Sequence, residues 1–89
     1  VSASMGGTYP VAELRTSSYK NTRICYIPDH VIIRNIGRML HGPEPADEQD
    51  AAVRQRLNYC LKVLLEYTKA LRLVRSSGVI DLKTFPYGM

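Results

Sequence analysis

From Asp47 to Arg75 the chain runs for nearly thirty residues without glycine or proline, and its apolar positions recur with helical spacing. Val53, Leu57, Cys60, Leu64, Tyr67, Leu71 and Val74 fall at alternating steps of four and three, the heptad spacing that keeps side chains along one seam of a helix. Leu61, Thr68 and Ala52 widen this face, and Val63, Ala70 and Leu73 carry apolar area around the side. A narrow polar strip remains, formed by Arg54, Asn58, Lys62, Glu66, Lys69 and Arg72. The pattern predicts a helix over about 47–75. Asp47 supplies its N-cap, Glu48 and Asp50 suit the positive end of its dipole, and Ser76-Ser77-Gly78 terminates it. Such a rod is about 40 Å long, more than a domain of this size needs for its own core.

A second amphipathic stripe precedes it. Ile32, Ile36, Met39 and Leu40 recur at helical spacing after Pro28-Asp29, and Gly42, Pro43 and Pro45 supply a stop. These signals predict a short helix over about 28–41 with Gly37 inside it, where close approach of another backbone would account for a glycine. Thr22-Arg23-Ile24-Cys25-Tyr26-Ile27 is β-branched and aromatic, so 22–27 reads as a short extended segment. Residues 79–82 read the same way or as the start of a final turn capped by Asp81, with Pro86 barring a long third helix. Phe85, Tyr87 and Met89 are expected to pack back on the helices. Residues 1–21 lack a sustained period and read as a flexible or extended arm, its opening Val1–Gly7 set apart from the fold. The expectation is an all-α fold: a single helical domain over 22–89, with one short and one long helix, behind an irregular arm.

Composition narrows the function. The chain has 89 residues, 45% hydrophobic and 22% charged, which is globular composition near the lower size limit for a self-sufficient core. No apolar run has the length of a membrane span, so an intracellular protein, nuclear or cytoplasmic, is expected. Cys25 and Cys60 form no CxxC pair and read as free, mostly buried thiols. His30 and His41 sit eleven residues apart, with no cysteine at ligand spacing, and the acids Asp47, Glu48 and Asp50 mark a helix start. No phosphate-binding glycine loop follows a strand. No catalytic residues, no metal site and no cofactor are expected, and the chain reads as a binding protein.

Two classes of partner fit. A helix apolar around so much of its girth needs cover on more than one side, which points to a protein-interaction or dimerisation module, self-associating or docking a partner helix. Its interface would be Val53, Leu57, Leu61, Leu64, Tyr67, Leu71 and Val74. The alternative is a basic nucleic-acid-binding domain. Net charge is +4, and Arg54, Lys62, Lys69 and Arg72 would be its phosphate contacts. Tyr9, Tyr19 and Tyr26 beside Arg15, Lys20 and Arg23 fit either stacking on bases or packing on the helices.

Over residues 28–82, the order of short helix, proline-bearing loop, long helix and Gly78-Val79-Ile80-Asp81-Leu82 resembles the first two helices and second bridging loop of a histone fold. Pro86 departs from that pattern by cutting a third helix short. The resemblance rests on element lengths and implies a heterodimer subunit of a chromatin or transcription complex.

Overall fold

In the computed structural model, which describes residues 7–17 and 23–88, the chain holds two α-helices and one 3-10 turn, and no strand forms among the described residues. The short helix, α1, spans Thr8–Ser17; the 3-10 turn is Ile36–Arg38; the long helix, α2, spans Glu48–Ser76. The all-α class and the pairing of one short with one long helix therefore hold.

The boundaries of α2 follow from its caps. Asp47 is extended, with φ −159°, and its carboxylate accepts the Asp50 N–H at 2.8 Å. Glu48 and Asp50 fill the first turn and Arg75 the last, as the helix dipole favours. At the other end the Ser77 N–H reaches Leu73 O at 3.0 Å, and Gly78 turns the chain away with φ 75°, a conformation that glycine adopts without a Cβ clash.

The short helix is not where the 28–41 stripe predicts it. Residues 29–34 run without regular structure as a strap, and Asn35 and Leu40 adopt left-handed conformations, with φ 54° and 62°, that bracket the 3-10 turn. The physical reason lies in Val31-Ile32-Ile33. Three consecutive β-branched residues are all half-buried, the signature of a segment covered on both faces, whereas a helix would turn one of them outward. The histone-fold resemblance falls with this helix, because its first element is absent. Gly37 lies in the 3-10 turn with nothing within 4 Å of where a Cβ would stand, so no close approach explains it.

The helix forms instead at Thr8–Ser17, inside the segment read as an arm. Pro10 sits in the first turn, where its missing N–H costs nothing, and Ala12, Glu13, Leu14 and Arg15 are good helix formers. The strap lies between α1 and α2. On one side Gly7, Pro10 and Val11 lie against Val31, Ile32 and Ile33. Further along, Arg15 donates to Ile27 O at 2.8 Å and stacks over the Tyr26 ring at 5.6 Å, while Tyr26 Oη donates to Leu14 O. On the other side Ile32 borders a cleft with Ala52 and Val53 at the start of α2, and Cys25 borders one with Leu71 and Val74 near its end. Asp29 forms an ion pair with Arg56 between these contacts. The segment from Cys25 to Ile32 thus runs antiparallel to α2.

The residues after α2 stay open. Asp81 accepts the Lys83 and Thr84 N–H groups, both at 2.9 Å, and starts a single turn over 82–84, as its capping role suggests. Arg23 donates to the carbonyls of Phe85 and Tyr87. The expected packing of Phe85 and Tyr87 on the helices does not occur, since both rings are exposed; Met89 lies outside the described residues, as do Tyr19 and Lys20.

Candidate protein interaction surface

Among the described residues one apolar side chain is buried, Met39 at 3% exposure. The molecule measures 52 × 26 × 18 Å with a radius of gyration of 16.9 Å, against about 12 Å for a globule of this length. It exposes 7410 Å², roughly 2,000 Å² more than a folded monomer of its mass.

The apolar positions of α2 divide between two flanks. Val53, Leu57, Cys60, Val63 and Leu71 are half-buried, and Val53 and Leu71, with the more exposed Val74, line the clefts against the strap. The other flank is uncovered. Leu61 is 48% exposed, Leu64 44% and Leu65 59%; at about 100° per residue, these three with Leu57 and Thr68 share about 100° of arc. Of the interface residues named from sequence, Leu61, Leu64, Tyr67 and Val74 are exposed, while Val53, Leu57 and Leu71 are half-covered within the chain. Leu65 belongs with the open group although the heptad count passes over it. Its signal was its distance of four residues from Leu61 and eight from Leu57.

The near end of the open flank is closed by a polar clamp. The Asp50 carboxylate, 1% exposed, accepts the Leu40 N–H and the Ala46 N–H, each at 3.0 Å, and the Arg54 Nε at 3.2 Å. Arg54 passes the clamp on by donating to Gly42 O at 2.7 Å and Pro43 O at 3.2 Å. The Ala46 N–H, then the Leu40 N–H, hold the Asp50 carboxyl below its ordinary range; burial opposes them, and Arg54 adds to the lowering by hydrogen bond and by charge. Loop 40–46 is thereby fastened over the first turns of α2.

The basic residues of the polar strip have different surroundings. Arg54 is committed to the loop carbonyls, Lys69 pairs with Glu66 at 2.7 Å, and Lys62 and Arg72 are exposed. Both thiols are free: Cys60 is half-buried on the strap side, and Cys25 is exposed rather than buried as its sequence context suggests. No group of three or more His, Cys, Asp or Glu gathers at metal-binding distance, and no helix is long and apolar enough to cross a membrane, among the described residues. No family model, curated protein or solved structure matches the chain.

Proposed function

We propose that this protein is a non-catalytic protein-interaction module of an intracellular regulatory assembly, and that the uncovered flank of α2 is its contact surface. The observation that carries this reading is the pairing, among the described residues, of a single buried apolar side chain with an open row of leucines on a well-capped helix of 29 residues. Isolated leucines on a surface are ordinary, but a contiguous row on one helix face marks an interaction surface. Burying Leu61, Leu64 and Leu65 would stabilise a complex by roughly 1 kcal/mol or more each, since about half of each side chain is still in contact with water.

The test uses the full chain at low micromolar concentration. It is expected to enhance the fluorescence of anilinonaphthalene sulfonate, and Leu61→Glu or Leu65→Glu is expected to reduce that signal while helicity persists. A chain that binds no dye and unfolds in one sharp transition independent of concentration would show the leucine row to be covered within the subunit and would overturn the proposal.

A further inference from the structure

Reading outward from Leu61, α2 carries leucine four residues away on both sides and opposite charges toward its two ends. Leu57 and Leu65 stand four residues away, Arg54 and Thr68 seven, Asp50 and Arg72 eleven, and Asp47 and Arg75 fourteen. These are the offsets that stay on one helical face. Residues 44–50 carry four acids and no base, and residues 69–75 carry three bases and no acid. From this arrangement, and resting on the interaction reading above, we infer that the occupant of the open flank is a second copy of this chain, paired antiparallel about a two-fold axis through Leu61.

A two-fold axis makes each residue beyond Leu61 face the residue equally far before it on the other copy. Leu61 then meets Leu61, Leu57 meets Leu65 and Leu64 meets Asn58, so the middle of the seam is mostly leucine. At both ends the bases of one copy meet the acids of the other. Asp50 itself lies beneath its loop, so the acidic end offered outward is Asp47, 40% exposed at its side chain, together with exposed Glu44. Arg38, 3.7 Å from Asp47 on an exposed side chain, is the base that already shares this end. Arg72 and Arg75 of the second copy are exposed and within the same arc as the leucines. A parallel pairing would instead set acid on acid and base on base.

Light scattering on the full chain across about 1–100 µM is expected to give twice the mass of 10.0 kDa, with dissociation favoured by dilution and by salt. Arg75→Glu is expected to weaken the dimer about tenfold, and mixing it with Glu44→Lys to restore a mixed dimer, because one acid–base end is then rebuilt. In a Cys25→Ser, Cys60→Ser background, Leu57→Cys is expected to cross-link with Leu65→Cys and not with itself. A Leu57→Cys self-link overturns the antiparallel geometry. A chain that stays monomeric at about 100 µM while still binding dye at its leucine row overturns self-pairing but leaves the interaction reading standing. A monomer that binds no dye overturns both.

Discussion

Asp50, on the first turn of α2, accepts the backbone N–H of Leu40 at 3.0 Å and so holds that residue in the left-handed conformation, φ 62°. Leucine adopts this region at a cost of about 1–2 kcal/mol, and one carboxylate that also takes the Ala46 N–H and Arg54 supplies the compensation. Asp50→Asn keeps the size but removes the charge and turns one acceptor into a donor facing an N–H. It is expected to release loop 40–46 and to destabilise the chain more than Asp47→Ala, which forfeits a single cap worth about 1 kcal/mol. Chemical denaturation of the two variants, with amide exchange at Leu40 and Ala46, checks the order. Equal losses, with both amides still protected in Asp50→Asn, would refute it.

The same clamp gives the fold a dependence on pH with a definite sign. The Asp50 carboxyl sits below its ordinary value because it accepts the Ala46 and Leu40 N–H groups, so the folded state favours the ionised form. Its contribution is fully present above the carboxyl's unfolded value and is lost as pH falls through the lower folded value. Asp81, lowered mainly by Thr84, acts in the same direction on the turn over 82–84. Stability should therefore be flat with respect to these two groups near neutrality and decline only in acid, below the ordinary carboxylate range. Thermal melts across acidic pH should show the decline in the wild type and a flatter profile in Asp50→Asn.

Two glycines should respond oppositely to alanine. Gly37 has no atom within 4 Å of a Cβ and no positive φ, so Gly37→Ala only restricts the unfolded chain. It is expected to stabilise by about 0.5 kcal/mol. Gly78 also has open space, yet its φ is 75°, and Gly78→Ala is expected to cost about 1 kcal/mol at the end of α2. Denaturation midpoints of the two single variants measure both signs.

Legibility of the fold in the sequence divides along the chain by how local its causes are. The bounds of α2 were readable because Asp47, Glu48, Asp50 and Gly78 act within one turn of themselves. The strap was misread as a helix because Ile32, Ile36, Met39 and Leu40 satisfy a helical spacing by number alone. What decides their conformation is tertiary: cover from α1 on one side and α2 on the other, and a carboxylate ten residues away that fixes Leu40. The helix at Thr8–Ser17 was missed because its stripe, Val11 and Leu14, is short and Pro10 resembles a breaker until its place in the first turn is known. At the candidate surface, the sequence reading named Leu61 and Leu64, which the fold leaves exposed. It merged two flanks that the strap separates, and it omitted Leu65.

That separation leads to a last expected outcome. Leu57 and Leu65 lie on the same row of α2, yet Leu57 is half-buried and Leu65 is 59% exposed. Leu65→Asp should leave the stability of the isolated subunit nearly unchanged, within about 0.5 kcal/mol, because the wild-type side chain already contacts water. Leu57→Asp places a charge where the side chain is partly enclosed and should destabilise the subunit by about 1–3 kcal/mol. Both should weaken association, since interface energy concentrates in the few large side chains that become fully desolvated. Measuring unfolding at high dilution separates the subunit effect, and scattering at high concentration reads the association. If Leu65→Asp unfolds the dilute chain as severely as Leu57→Asp does, then Leu65 is enclosed within the subunit and the open flank does not exist in solution.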